Sequence, residues 1–260
     1  MKKFIKLIAT ALVFVLSLSL FACSGTESVE TLNGKTPEEV YATVIDTVKN
    51  ATVLEQSTTQ DITMEIDGQK ATMKQSVLAK MDGNNQYGKT TSVLTAEGEE
   101  MPILNLEYWY VDGMYYYNDG LNKFKCPMDL DEFLEDLGMG GEDAIGDIPL
   151  DWFENISFEL ENDLYSLSFD IKGEEYEEIF GELGLEGTDL SNIAYNIFFD
   201  ADGNIVDNKM KFSMNLDLMG VICEAEVVSV SDFSFTLSSP ITAPADADTY
   251  TLVPALGGLI

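Results

Sequence analysis

Lys209-Met210-Lys211-Phe212-Ser213-Met214-Asn215-Leu216-Asp217-Leu218 alternates without a break. Met210, Phe212, Met214, Leu216 and Leu218 point one way; Lys209, Lys211, Ser213, Asn215 and Asp217 point the other. A two-residue period is that of a β-strand, and a strand this one-sided belongs to an antiparallel sheet with one wet face and one buried face. Asp200-Ala201-Asp202-Gly203-Asn204 precedes it and turns it back on a strand from Tyr195 to Phe199. Asp-Gly between alternating runs is a hairpin signal. The same residues loosely suggest a calcium loop, but the spacing of glycine and glutamate is not that of an EF-hand, and the turn reading wins.

The same period governs most of the chain. Ile62, Met64 and Ile66 alternate with Thr63 and Glu65, and Asp67-Gly68 turns the chain. Met73, Gln75, Val77, Ala79 and Met81 follow on one face, and a weaker strand runs from Tyr87 to Leu94. A hairpin from Leu106 to Tyr117 turns on Asp112-Gly113. That turn sets Tyr110 opposite Tyr115, Trp109 opposite Tyr116 and Tyr108 opposite Tyr117. Such an aromatic ribbon is either a carbohydrate platform or the wall of a core, and the wall is the preferred reading. Strands are expected again from Ile156 to Leu160 and from Tyr165 to Ile171. From Val221 to Leu237 the apolar parity slips at Val228 and Val230, which predicts a bulge or a bend, and the tail after Pro240 reads as extended.

Helical spacing occurs in three places. Thr36-Pro37-Glu38-Glu39 starts a helix with a capping box and a proline at its first position. Val40, Tyr41, Val44, Ile45 and Val48 form its apolar stripe, expected to pack on a sheet. Shorter helices are expected at Asp129–Leu137 and around Tyr176–Leu183. The glycine-rich acidic stretch Gly138–Gly146 between them reads as a connector or a lid. The fold class is therefore α+β, mainly antiparallel β: a single curved open sheet, a half-barrel, wrapping short helices.

The beginning of the chain says where the protein works. Met1, Lys2, Lys3 and Lys6 give a basic start, an apolar run follows to Leu20, and Leu20-Phe21-Ala22-Cys23 ends it. This is the layout of a secretory signal peptide. The pattern resembles the bacterial lipobox, with Phe21 bulkier than usual. The resemblance implies acylation of Cys23 and attachment to the outer face of a cell membrane. An ordinary signal peptide or an uncleaved membrane helix is the alternative; the polar Ser24-Gly25-Thr26-Glu27-Ser28 favours cleavage. The expected division is a signal peptide over 1–22, a lipid-anchored tether over 23–35 and one folded domain over 36–260. The dozen tether residues span about 20 Å as a flexible coil.

Composition excludes several chemistries. All 14 basic residues are lysines, with no arginine and no histidine. From Cys23 onward, 11 lysines face 46 acidic residues, a formal charge of −35. Such a surface repels nucleic acid and suits a solvated extracytoplasmic protein. Without histidine there is no Ser-His-Asp or Cys-His machinery and no histidine metal site. No phosphate loop, nucleotide fingerprint or zinc motif appears. No cofactor and no catalytic residue is expected. Cys126 and Cys223 either bridge or stay as buried thiols, with the thiols preferred.

The acylated Cys23, the tether, the Thr36-Pro37-Glu38-Glu39 helix and the antiparallel strands together resemble the LolA/LppX-like lipoprotein-carrier superfamily. So do the Tyr108–Tyr117 hairpin, the Phe199–Ile205 arm and the Ile241-Thr242-Ala243-Pro244 ending. The likeness spans about residues 36–253 and is one of pattern. It implies a curved unclosed sheet around a helix, with room for acyl chains. Candidate lining residues are Met64, Met73, Met210, Phe212, Met214 and Leu216. Methionine surfaces adapt to varied apolar ligands, and methionine equally fills ordinary cores. The expected function is non-catalytic binding or carriage of a lipid or other apolar ligand. The alternative is a surface or sensor-like module with a filled core that acts through an envelope protein partner.

Overall fold

The computed structural model describes residues 34–66, 69–130, 152–161, 164–171, 189–200, 202–217 and 222–254. The two shorter helices expected from sequence and the stretch 138–146 fall almost wholly outside these residues, as do the signal peptide and Cys23.

Among the described residues one helix, α1 (Pro37–Lys49), leads into twelve strands. The strands are β1 (Val53–Ile66), β2 (Gln69–Asp82), β3 (Asn85–Ala96), β4 (Glu99–Val111), β5 (Met114–Asn118) and β6 (Lys123–Pro127). They continue as β7 (Phe153–Glu161), β8 (Leu164–Ile171), β9 (Asp189–Phe199), β10 (Ile205–Asp217), β11 (Ile222–Ser234) and β12 (Thr251–Leu252). All belong to one sheet, in the order β12-β6-β5-β4-β3-β2-β1-β11-β10-β9-β8-β7. The sheet curls but stays open, with β7 and β12 as its edges. Every pairing is antiparallel except that of β12 on β6. The two runs of sequential hairpins meet where β1 pairs with β11.

The helix forms as its start dictates. Thr36 N donates to Glu39 Oε2 at 2.9 Å, and Glu39 N donates to Thr36 Oγ1 at 3.3 Å, so both arms of the capping box are made. Val40, Tyr41, Val44 and Val48 are buried in the main core with Phe153, Phe169, Tyr195 and Phe212. Tyr41 meets the rings of Phe153 and Phe169 edge-on, and those two rings stack at 3.9 Å. The face of the sheet under α1 is the inner face.

The tyrosine hairpin has the expected register: Tyr110 with Tyr115, Trp109 with Tyr116, Tyr108 with Tyr117. Its turn residues Asp112 and Gly113 have φ of 53° and 75°, the left-handed pair that a tight hairpin requires. The strand into it, β4, begins at Glu99 rather than Leu106, with a register shift beside Pro102, a residue that cannot donate to the ladder. Gly88 lies opposite Tyr108, and a Cβ there would stand 2.2 Å from the tyrosine ring. Glycine is what lets the ring lie across β3.

Two further expectations are corrected. No bulge interrupts β11: it pairs continuously with β1 from Cys223 to Ser234 and with β10 from Ile222 to Asp232. Ser229 and Ser231 are the buried residues there, while Val228 is exposed. The parity never changes; polar residues occupy inward positions. The end of the chain is also more structured than an extended tail. It crosses the outer face, makes a 3-10 turn at Ala247–Thr249 and adds β12 to β6. Beneath it Lys80 is buried, donating to Ser238 Oγ at 2.7 Å and Ser239 Oγ at 3.1 Å and pairing with Glu55 Oε2 at 3.1 Å. Tyr250 packs edge-on against Trp109 and Tyr116. Both faces of the aromatic ribbon are thus covered.

Candidate functional site

The inner face is built from rows of residues that lie directly opposite one another across successive strands. Phe212, Val227, Ile62, Met73 and Leu94 form one row over β10, β11, β1, β2 and β3. Met214, Ala225, Met64 and Ala71 form the next. Five of the candidate residues therefore share one apolar surface: Met64, Met73, Met210, Phe212 and Met214 all belong to the main core, at 1% to 9% exposure. Leu216 lies farther along β10 opposite Cys223; its side chain is outside the description. Lys209 and Lys211 are exposed on the opposite face, as the alternation requires. Lys211 pairs there with Glu226.

Past Met210 the inner face changes character. The row Phe169–Tyr195–Met210–Ser229–Gln60–Gln75–Ser92 crosses seven strands, from β8 to β3, and every member is buried. Its first three residues are apolar or aromatic and its last four are polar. In the row beyond it, Thr58 and Ser231 are also buried and share a hydroxyl hydrogen bond at 2.8 Å. Gln60 Nε2 reaches Ser229 Oγ only at 3.5 Å. Gln60 Oε1, both amide atoms of Gln75 and Ser92 Oγ are buried with no hydrogen-bond partner among the described residues. Each such group costs about 1–3 kcal/mol while it stays unmatched.

Among the described residues, no charged side chain occupies an inward position of β1–β3 or β8–β11. The charges stand outside, as in Lys74–Asp61 and Lys70–Glu65. An inner face of this kind can hold apolar chains and neutral hydrogen-bonding groups, and it disfavours ions, which would lose their hydration without a counter-charge.

The other candidate chemistries resolve into structure. The Asp200 carboxylate accepts hydrogen bonds from Asp202 N and Asn204 N at 2.9 Å and from Asn204 Nδ2 at 2.8 Å. Partial burial raises its pKa, but these bonds and one from Gly203 outweigh that and hold it below the usual carboxylate value. The carboxylate is committed to its own turn, which abuts α1 at Thr43 and Thr47. Among the described residues no group of His, Cys, Asp and Glu could hold a metal ion. Cys126 and Cys223 form no disulfide and are buried in different clusters, Cys126 among the tyrosines and Cys223 in the main core. Burial pushes the Cys223 thiol above its ordinary value, which leaves it unreactive. No described helix is long and apolar enough to cross a membrane.

Sequence reasoning placed Gln75 on the inner face but missed Gln60, Ser92, Ser229, Thr58 and Ser231. The available signal was parity: the alternation of Ile62 and Met64, carried back along β1, sets Gln60 and Thr58 inward.

No family model and no curated protein matches the chain. Among solved structures it is similar to a β-barrel-like protein of a domain of unknown function, DUF1849, from Brucella abortus, at 11% identity over 71% of this chain and 99% of that one, with a TM-score of 0.25. It is similar to a DUF1329 family protein from Desulfovibrio piger, at 12% identity over 76% of this chain and 90% of that one, TM-score 0.20. A third is an outer membrane lipoprotein-sorting protein domain from Vibrio parahaemolyticus, at 12% identity over 72% of this chain and 87% of that one, TM-score 0.20. At these scores the likenesses carry no argument. The class of the molecule rests on its own register: an open antiparallel sheet with a helix on an uncharged inner face.

Proposed function

We propose that this protein is a non-catalytic binder or carrier of a lipid or other apolar ligand, held at the extracytoplasmic face of a membrane by acyl chains on Cys23. One observation carries the reading: the uncharged inner face on which Met64, Met73, Met210 and Met214 surround Phe212, Ile62 and Val227. Methionine side chains repack around ligands of different shape more readily than branched ones. An open sheet offers a mouth that a closed barrel lacks.

A second reading has its own support. Met73 and Val227 are 1% and 0% exposed, the burial of a filled core. In that reading the protein is a scaffold acting through an envelope partner. Titration with N-phenyl-1-naphthylamine, an uncharged apolar fluorescent probe, separates the two. Saturable binding, weakened by Phe212→Ala, supports the carrier; absence of binding supports the scaffold.

The anchor is tested separately. Cys23→Ala should move the protein from the membrane fraction to the medium or periplasm, because two acyl chains hold a protein stably and none does. Retention of the variant in the membrane fraction would refute the anchor.

A further inference from the structure

We propose that Gln60, Gln75, Ser92 and Ser229 form a head-group subsite that selects a neutral amphiphile, one with hydroxyl or ester oxygens and no ionic charge. The proposal rests on the carrier reading and deepens it. Four observations converge. The residues are consecutive in one cross-strand row, Ser229–Gln60–Gln75–Ser92, so their side chains emerge side by side. Gln60 and Gln75 are both 0% exposed and Ser92 is 2% exposed, so water does not reach them from outside. Both amide atoms of Gln75, Gln60 Oε1 and Ser92 Oγ lack partners among the described residues. The neighbouring rows differ: Thr58 and Ser231 satisfy each other on one side, and Ile62, Met73, Phe212 and Val227 are apolar on the other.

A polar row with open bonding capacity thus borders an apolar surface. That is the arrangement an amphiphile needs, with its chains over the methionines and its head against the amides. The chemistry of the head follows from the donor set. Carboxamides and hydroxyls each donate and accept, which matches glycerol hydroxyls and ester carbonyls. A phosphate or carboxylate would sit on a face where, among the described residues, no lysine points inward to balance it, and burying it there is unfavourable. A pure hydrocarbon would leave the amides unmatched. The ligand class that satisfies every part is a neutral glycerolipid, with diacylglycerol as its simplest member.

The test uses the full chain carrying Cys23→Ala, with N-phenyl-1-naphthylamine as an uncharged apolar tracer. Dioctanoylglycerol and dioctanoyl phosphatidate, equal in their chains, compete for it. Dioctanoylglycerol should compete at least about tenfold better than the phosphatidate, the ratio expected when one buried charge lacks a partner. Gln75→Leu should weaken dioctanoylglycerol about tenfold, leave the tracer's affinity within about twofold, and leave the melting temperature equal or higher, because an unmatched polar group is removed. Gln60→Leu should act in the same direction, so the result does not depend on one variant folding. Tracer binding with no preference between the two competitors would overturn the subsite and leave the carrier reading standing. So would Gln75→Leu and Gln60→Leu that melt lower and bind dioctanoylglycerol unchanged, since the amides would then be structural. Failure of the wild type to bind the tracer at all would overturn both.

Discussion

The two ends of the inner face are covered by different chemistry. Over β8–β11 the buried residues are Phe169, Phe212, Met210, Met214, Leu167, Ile193 and Val227 with few polar tips, and α1 lies on them. Over β4–β6 they are Tyr110, Tyr115, Cys126 and Met128, with Tyr108, Tyr117 and Phe124 packed alongside. There the outer face is covered as well, by Tyr250 near the end of the chain. A helix can seal an apolar surface because its own backbone bonds are internal. A surface of tyrosines needs partners for its hydroxyls, as Tyr110 finds in the Met128 carbonyl at 3.2 Å. The first end is a packed lid over an uncharged sheet; the second is a braced wall. The polar row of Gln60 and Gln75 lies between them.

The largest predicted effect falls on the first end. Phe169 is fully buried, stacked on Phe153 and on Tyr195, the latter at 5.3 Å between centroids. Phe169→Ala should cost ~3–5 kcal/mol in denaturant unfolding, because it removes buried area and leaves a hole. A cost under about 1 kcal/mol would mean that this end is loosely packed, and the contrast would fail.

Gly88→Val tests the wall by overfilling it. The added atoms would meet the Tyr108 ring, and a stability loss of ~1–3 kcal/mol is expected. An unchanged melting curve would show that the ring does not lie over β3.

Lys80→Ala should cost somewhat less, ~1–2 kcal/mol, since Glu55 keeps its bonds from Ser238 at 2.8 Å. Removal of Lys211, exposed on the uncovered outer face, should change stability by less than about 0.5 kcal/mol. Equal costs at the two lysines would contradict the cover that Ser238 and Ser239 give the outer face at β2.

Titration sharpens the same contrast. Burial pushes the Tyr108 hydroxyl up to about 12, and burial with the nearby Asp246 and Glu107 carboxylates does the same for Tyr250. The stability that comes from keeping these phenols neutral is fully present below the ordinary value of 10.0 and is lost as pH rises through about 12. Glu55 has the opposite sign. Burial raises it, bonds from Ser238 and Lys80 outweigh that, and its pKa ends below the ordinary 4.5. Its contribution is present above that value and is lost as pH falls through the lowered one. Alkaline unfolding should therefore begin at the tyrosine wall, read by tyrosinate absorbance at 295 nm. Loss of α1 before any tyrosinate appears would contradict this order.

Most of the architecture was legible because strands announce themselves by parity. Met210, Phe212 and Met214 are inward as their alternation requires, and the pairing of Tyr110 with Tyr115 follows from a two-residue turn. The misreading at Val228 and Val230 came from the assumption that inward means apolar. Ser229 and Ser231 are inward instead, and the polar row they belong to is invisible to any reading that follows hydrophobicity alone. Buried Lys80 was illegible for another reason: its cover comes from Ser238 and Ser239, more than 150 residues away in sequence. Pairings across such distances leave no local pattern.

The central claim is that the uncharged inner face holds an apolar ligand. Native mass spectrometry of the full chain carrying Cys23→Ala, purified without detergent, tests it most directly. The expected spectrum shows a species heavier than the bare chain by one lipid mass, displaced when N-phenyl-1-naphthylamine is added. The bare mass alone, from protein that takes up neither that probe nor a fluorescent fatty acid, would contradict it.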